Sequence, residues 1–153
     1  MLKTLSENFD NLQVVAISGR NEKMKKSFEY LVSHSHREDS IKILDYTTKV
    51  PELMSISDMV VTKPGGLTTT ESLASGLPII VINPIPGQEE ENAEFLEKKN
   101  VAIWIKKNDD AKQVLEELFN TPEKIKQMKI NARLLAKKNS SKDICEIVLK
   151  EAI

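Results

Sequence analysis

Cysteine, aromatic residues and net charge are all scarce in this chain of 153 residues. Its one cysteine, Cys145, excludes an internal disulfide framework and a cysteine-rich metal site. Aromatic residues make up 5% of the sequence, which argues against a surface on which nucleic-acid bases stack. The formal net charge is −1, so no overall electrostatic attraction to nucleic acid or to an anionic membrane exists. We therefore expect no nucleic-acid partner.

Long apolar segments and metal-binding motifs are also missing. No run approaches the roughly 20 apolar residues that span a bilayer, and residues 1–9 lack the apolar centre of a signal peptide. The histidines His34 and His36 have no nucleophile or carboxylate at motif spacing, so we expect both to be solvated and no catalytic triad to form. The sequence predicts a cytoplasmic protein without a metal ion.

Short β-branched runs alternate with amphipathic segments along the chain. Strands are predicted at 13–18, 41–46, 58–63, 79–83 and 101–105. Helices are predicted at the start of the chain, at 22–35, near Pro51, and at 68–75, 89–99, 109–119, 122–138 and 140–152. This alternation predicts an α/β fold with right-handed βαβ units, that is, a Rossmann-like parallel sheet with helices on both faces. We expect Cys145 and Trp104 to pack in the core, as well as Met24 on the inner face of its helix.

The beginning of the chain departs from the usual order of such a fold. A doubly wound nucleotide-binding domain usually opens with a strand and a glycine-rich loop. Here the sequence begins with the helix that would follow that loop. We therefore expect a sheet without its first strand, in one domain spanning residues 1–153 that is a fragment or a subunit.

The segment 60–92 holds two buried strands, each followed by a glycine-containing loop and a helix. Ligands of open α/β sheets bind at the carboxyl ends of the strands, and helix N-termini favour anions. In the first loop, Gly65 and Gly66 would let the backbone approach a ligand closely, or would simply form a tight turn that requires positive φ. Thr68, Thr69 and Thr70 add hydroxyl groups, one of which a capping role explains.

Glu71 follows these threonines and has two interpretations. Its carboxylate could accept hydrogen bonds from vicinal hydroxyl groups, as a ribose presents them. It could equally be a capping-box or first-turn acid, worth roughly 0.5–1 kcal/mol. The residues alone favour the second interpretation.

The second loop ends in Gln88 and Glu89, with Asn92 one helical turn further on. An amide and a carboxylate there could bind a polyhydroxyl ring. A solvated acidic helix start explains Glu90 and Glu91 but not the proline and glycine before Gln88. At the end of the first strand, Arg20 and Asn21 could reach a diphosphate or could form a surface turn, and Lys63 leaves the same two possibilities.

Several spaced motifs together resemble one family. They are Gly19-Arg20-Asn21, the segments 50–54 (VPELM), 62–66 (TKPGG) and 76–78 (GLP), the pair Thr70-Glu71, and 86–89 (PGQE) with Asn92. In this order they resemble the C-terminal, UDP-sugar-binding domain of GT-B glycosyltransferases. The resemblance is greatest to the branch of monogalactosyldiacylglycerol synthases and processive diacylglycerol glucosyltransferases, and it covers nearly the whole chain.

The resemblance implies a position for each part of a UDP-sugar. Uracil would lie against the backbone near Thr47, Lys49 and Val50, and Glu71 would hold the ribose. The diphosphate would lie at Gly65, Gly66, Leu67, Thr68 and Thr69, with Gln88, Glu89 and Asn92 on the sugar. Enzymes of this kind invert the anomeric centre in a single displacement, without a metal ion or cofactor. Their general base comes from the other domain, so no catalytic residue is expected here.

Whole enzymes of this family also have an N-terminal domain that binds the lipid acceptor. The sequence departs from the family because we find no such domain in it. We expect the chain alone to bind UDP-sugar weakly and not to transfer sugar, and the whole enzyme to lie peripherally on the inner membrane face. Two alternatives stay open: a subunit that needs a separate partner chain, and a UDP-N-acetylglucosamine 2-epimerase-like domain. Neither the sugar nor the acceptor can be chosen from the sequence.

Overall fold

A computed structural model describes residues 1–151 of the chain. The helices are α1 (Leu2–Asn8), α2 (Glu22–Ser35), α3 (Val50–Ile56), α4 (Gly66–Ser75), α5 (Gln88–Lys98), α6 (Ala111–Phe119), α7 (Pro122–Leu135) and α8 (Ser140–Glu151). The strands are β1 (Val14–Ile17), β2 (Ile41–Leu44), β3 (Val60–Thr62), β4 (Ile79–Ile82) and β5 (Ala102–Ile105). The predicted α/β fold is confirmed, with bounds that shift by a few residues. Ala152, the predicted end of the last helix, lies outside the described residues.

The strands are parallel within two separate sheets. One sheet has the order β1-β2, and the other has the order β3-β4-β5. In the first sheet Val14 pairs with Ile41, and in the second Val60 pairs with Ile79 and Ile79 with Ala102. Because parallel strands present their carboxyl ends on one side, the loops after them share one rim in each sheet.

Helices cover both faces of the second sheet. Ile79 and Val81 of β4 belong to a cluster with residues of α4, α5 and α7, namely Leu73, Ala93, Leu96 and Ala132. Ile80 belongs to a second cluster on the opposite face with Leu5, Leu115, Leu118 and Met128. The continuous β-branched run of β4 is therefore buried on both sides, as such runs are in parallel sheets.

The short helix α1 joins the two sheets. Leu5 of α1 lies in the cluster over the second sheet, and α1 also packs against α2 of the first sheet. The guanidinium of Arg37 donates hydrogen bonds to the carbonyl oxygens of Phe9 (2.9 Å) and Leu12 (2.8 Å), which fixes the connection from α1 to β1. Phe9 packs edge-on against Phe119 at a centroid distance of 5.1 Å.

Two residues that were expected in the core are exposed, so these predictions are wrong. Cys145 is exposed, as is every side chain described in α8, because no other described element covers this helix. Met24 is also exposed, because it lies in the first turn of α2, where no other element of the described residues covers its side chain. Trp104 packs against the first cluster as expected, and His34 and His36 are exposed as expected.

Candidate functional site

Every predicted site residue follows the carboxyl end of a strand. Arg20 and Asn21 come after β1, and Thr47, Lys49 and Val50 come after β2. Residues 65–71 come after β3, and Gln88, Glu89 and Asn92 come after β4. β3 and β4 are paired neighbours, so the last two groups lie on adjacent positions of one rim.

The N-terminus of α4 is open at this rim. Its N-cap is Gly65, no side chain caps it, and its first turn contains no acidic residue. Counting from this end, the first N–H group that donates a hydrogen bond within the helix is that of Thr69, to the carbonyl of Gly65 at 2.9 Å. The N–H groups of Gly66, Leu67 and Thr68 are therefore left without an intrahelical partner. Such groups, together with the helix dipole, attract an anion.

The fold itself does not require glycine at positions 65 and 66. Gly65 has a φ of −67°, and neither residue is among those with positive φ. A Cβ added to either one would have no atom within 4 Å beyond its chain neighbours. The interpretation as a turn that requires positive φ is therefore wrong. Open space in front of the backbone remains as the feature that the glycine pair provides.

The threonines of α4 do not cap it, because the helix begins two residues earlier than predicted. The hydroxyl of Thr70 donates to the carbonyl of Gly66 at 2.8 Å, and Thr68 accepts at its carbonyl from Ser72 at 2.6 Å. The hydroxyl oxygen of Thr69 is buried and has no hydrogen-bond partner among the described residues. A buried hydroxyl without a partner costs about 1–3 kcal/mol, so a ligand or water would be favourable there.

Glu71 is the sixth residue of α4 and lies outside its first turn. The capping interpretation, which the residues alone favoured, is therefore wrong. Its side chain is exposed, and within the described part of the chain it takes part in no hydrogen bond or ion pair. Its carboxylate thus has free acceptor capacity one turn from the open helix end.

The start of α5 is built differently from that of α4. Gly87, its N-cap, has a φ of +98°, a conformation that explains the glycine of this loop without a ligand. Glu89 accepts a hydrogen bond from the backbone N–H of Ile85 at 2.7 Å. Asn92 donates to the carbonyl of Pro64 at 2.8 Å, so it ties α5 to the loop before α4. Gln88 is exposed.

Charge distinguishes the two helix ends. The first turn of α5 contains the acidic residues Glu89, Glu90 and Glu91, whereas the first turn of α4 contains none. These carboxylates already interact favourably with the dipole of α5 and repel a further anion. Between the two neighbouring ends, a diphosphate is therefore favoured at α4, and neutral hydroxyl groups are favoured at α5.

Another group of polar residues lies at the ends of β1 and β2. The guanidinium carbon of Arg20 lies 4.9 Å from the ring centroid of Tyr46, an exposed residue that sequence reasoning missed. The side chain of Asn21 caps α2 by accepting from the N–H of Met24 at 3.0 Å. Lys25 donates to Asp45 at 2.9 Å, and this hydrogen bond raises the pKa of Lys25.

The loop between β2 and α3 is stabilised by a hydrogen bond between two of its own residues. The hydroxyl of Thr47 accepts a hydrogen bond from the N–H of Lys49 at 3.1 Å. Val50 begins α3, which packs against α4, so this loop is connected to the open helix end through one helix. For Tyr46, the neighbour of Arg20, the only signal in the sequence for a place in the site was its position at the carboxyl end of a strand.

Gly66, Leu67, Glu71 and Gln88 are exposed along the rim. Depressions of about 560 and 500 Å³ lie at α6 and α7 and include none of the predicted site residues. The described residues contain no cluster of three potential metal ligands, and none of their helices has the length and hydropathy to cross a membrane.

These features define an α/β domain of parallel strands with an uncapped helix N-terminus at the carboxyl ends of its second sheet. Residues 1–147 match the model of the glycosyltransferase family 28 C-terminal domain. The chain therefore belongs to this family, and the resemblance seen in its motifs is confirmed.

Curated relatives are longer than this chain. It is 38% identical over 154 residues to a processive diacylglycerol β-glucosyltransferase of Bacillus subtilis (strain 168), covering 99% of this chain and 40% of that protein. It is also 38% identical over 141 residues to the enzyme of the same name from Bacillus pumilus (strain SAFR-032), covering 92% of this chain and 36% of that protein. The chain thus spans about two fifths of the length of these relatives.

Solved structures share the fold. MurG of Acinetobacter baumannii has a TM-score of 0.73 at 20% identity, covering 97% of this chain and 46% of that one. The Anabaena HepE protein in complex with UDP-glucose has a TM-score of 0.70 at 16% identity, covering 97% and 44%. At these identities the likeness shows the fold alone, which is that of the C-terminal domain of GT-B glycosyltransferases.

Proposed function

We propose that this chain is the donor-binding domain of an inverting, metal-independent glycosyltransferase that moves a hexose from a UDP-sugar to a lipid such as diacylglycerol. The observation that carries this proposal is the open N-terminus of α4. There Gly65 and Gly66 leave space that the fold does not need, beside three N–H groups without an intrahelical partner. The negative charge of a diphosphate suits these N–H groups and the helix dipole.

The family resemblance assigns the other parts of the donor to neighbouring residues of the rim. The free carboxylate of Glu71, one turn further along α4, accepts hydrogen bonds from the ribose hydroxyls. Gln88 and Glu89 lie at the end of β4 next to β3 and bind the hexose, while Asn92 holds the loop at Pro64 in place. Uracil lies against the backbone of residues 47–50, and Arg20 lies near the phosphates.

The chemistry needs a group that stabilises the leaving UDP. Charge develops on the leaving phosphate oxygen as the glycosidic bond to UDP breaks. Oriented N–H groups at the end of α4 stabilise this charge in place of a metal ion. The general base and the binding site for the lipid acceptor lie in polypeptide beyond this domain, since the relatives are more than twice as long. The chain alone therefore binds the donor and does not turn over.

A second arrangement is that the acceptor half is a separate partner chain. It is favoured by the exposed apolar face of α8, which presents Ile144, Ile147 and Val148 at 61%, 61% and 58% exposure. A contiguous apolar surface of this kind marks a protein interface. The family match favours glycosyl transfer over the epimerase alternative. A neighbouring reading frame that encodes an acceptor domain would support the two-chain arrangement.

Calorimetric titration with UDP, UDP-glucose, UDP-galactose and UDP-N-acetylglucosamine tests the proposal. We expect UDP and at least one UDP-hexose to bind, and Glu71→Ala to weaken binding by about tenfold or more, the effect of losing one hydrogen bond to a charged acceptor. Glu29→Ala is the matched control, because Glu29 is exposed in the middle of α2 and away from the rim. Equal affinities for Glu71→Ala and the unchanged chain would refute the assignment of the ribose.

A further inference from the structure

The outer edge of β5 faces away from β4, and no described strand pairs with it. The N–H of Ile79 donates to the carbonyl of Val101 at 3.0 Å, so Val101 faces β4. Backbone groups of a strand alternate between its two edges. Those of Ala102, of Trp104 and of Lys106, the first residue after β5, therefore face outward, where the backbone of a further strand could bond to them.

Carboxylates already occupy two of the outward N–H groups. Glu97 of α5 accepts a hydrogen bond from the N–H of Trp104 at 2.9 Å. Asp109 accepts from the N–H of Lys106 at 2.8 Å, and the N–H of Asp109 donates to the carbonyl of Lys106 at 3.1 Å. Both backbone groups of Lys106 are thus bonded within the chain. An incoming strand would have to displace both carboxylates to reach these donors.

Two further side chains protect the same strand. The amide of Asn131 in α7 donates to the carbonyl of Asn100, just before β5, at 3.0 Å. The ammonium of Lys106 lies 5.1 Å from the ring centroid of Trp104, which keeps its charge beside the strand. Lysine at the edge of a sheet opposes pairing with another strand, because pairing would bury its charge. Hydrogen bonds and charge therefore act together on this edge.

We propose that Glu97 and Asp109 are blocking residues that keep the outer edge of β5 from pairing with a second copy of this chain. A second copy presents the same edge, and two such edges can pair antiparallel about a two-fold axis. β5 has the apolar sequence AIWI, and an unblocked apolar edge promotes association of this kind. Each carboxylate oxygen occupies the position that a carbonyl oxygen of the incoming strand would take.

This blocking role is independent of the proposed function, because the donor site at α4 and the edge of β5 have no residue in common. Failure to bind UDP would leave the blocking role intact. Failure of the blocking role would leave the assignment of the diphosphate to α4 intact.

Removal of both carboxylates tests the blocking role. In sedimentation velocity, we expect Glu97→Ala/Asp109→Ala to self-associate with a Kd at least about tenfold lower than that of the unchanged chain. Glu94→Ala/Asp39→Ala is the matched control. It removes the same two charges from exposed residues whose side chains have no hydrogen bond or ion pair within the described part of the chain. The control should associate no more strongly than the unchanged chain.

Hydrogen exchange with single-residue resolution locates the contact. In the dilute alanine variant, the amide of Trp104 should exchange at least about tenfold faster than in the unchanged chain, because Glu97 no longer accepts from it. At high protein concentration, the amides of Trp104 and Lys106 should regain protection. Trp104 is the single tryptophan of the chain, so its fluorescence should depend on concentration in the alanine variant but not in the control.

Conservative substitutions separate the hydrogen bonds from the charges. Glu97→Gln/Asp109→Asn keeps an acceptor oxygen at each position and removes both charges. We expect this variant to associate no more strongly than the unchanged chain, since the N–H groups of Trp104 and Lys106 stay occupied.

Three results would overturn the proposal. The alanine variant could associate no more strongly than the unchanged chain, which would show that the carboxylates block nothing. Association without renewed protection of Trp104 and Lys106 would place the contact on another surface. Association of Glu97→Gln/Asp109→Asn as strong as that of the alanine variant would show that occupation of the N–H groups does not block the edge.

Discussion

At the scale of single residues, a substitution of Gly66 should change the stability of the fold and the affinity for UDP in opposite directions. Gly66→Ala should stabilise the protein by about 0.4–1 kcal/mol, because φ permits alanine and the unfolded chain loses freedom. The same methyl group would occupy the space proposed for the diphosphate, so UDP affinity should fall by about tenfold or more. Urea unfolding and calorimetry measure the two effects on one preparation.

Gly76 is the matched control for this prediction. It ends α4 with a φ of 71°, and an added Cβ would lie 2.8 Å from the side-chain nitrogen of Arg133. Gly76→Ala should therefore destabilise the fold by about 1 kcal/mol or more and leave the UDP affinity of the folded protein unchanged. An unaltered affinity in Gly66→Ala would contradict the assigned diphosphate position.

Asn92 provides a second prediction at this scale. Asn92→Ala removes the hydrogen bond to the carbonyl of Pro64 and should cost about 1 kcal/mol. Since this bond holds the loop before α4, UDP affinity should fall as well. Asn131→Ala removes a comparable bond of 3.0 Å to the carbonyl of Asn100, away from the rim. A loss of affinity equal in both variants would show that Asn92 has no specific role in binding.

At the scale of elements, β4 and α8 represent opposite extremes of burial. Ile79 in β4 is fully buried, whereas Ile147 in α8 is 61% exposed. Ile79→Ala should cost about 2–5 kcal/mol of unfolding free energy through the cavity that it leaves. Ile147→Ala should change it by no more than about 0.5 kcal/mol. Chemical denaturation checks both, and a cost above 2 kcal/mol for Ile147→Ala would show that α8 packs on the core.

Most elements could be predicted from their local pattern, and the errors have a common cause. The run of β4 and the caps of α2 and α4 at Asn21 and Gly76 depend on residues close in sequence. The burial of Cys145 and Met24 depends on whether another element covers them. An apolar stripe predicts a face that can pack, but not that a neighbour is present.

The site could be predicted in outline because parallel strands bring their loops to one rim. The individual contacts could not be predicted. The bond from Asn92 to Pro64 joins residues 28 apart, and the role of Glu71 depended on α4 beginning at Gly66 instead of Thr68. The sequence allowed two interpretations of Gly65 and Gly66, a tight turn with positive φ or space for a ligand. Only the φ angles in the structure could decide against the tight turn.

At the scale of the whole molecule, the proposed function assigns the acceptor half to polypeptide beyond this domain, and the chain spans about two fifths of the length of its relatives. If the general base and the acceptor site lie in that further polypeptide, as proposed, the chain incubated with UDP-glucose and diacylglycerol vesicles should form no glucosyl-lipid. The longer relative from Bacillus subtilis serves as the positive control. Robust transfer by the chain alone would refute the division of roles proposed for the two halves.

The most direct measurement of the central claim is an amide chemical-shift titration with UDP. We predict that the largest shifts occur at Gly66, Leu67 and Thr68, whose N–H groups are left without an intrahelical partner at the start of α4. Smaller shifts should follow along residues 47–50, and amides of α6 and α8 should not move. Saturable shifts confined to other parts of the molecule, with the α4 end unchanged, would contradict the account.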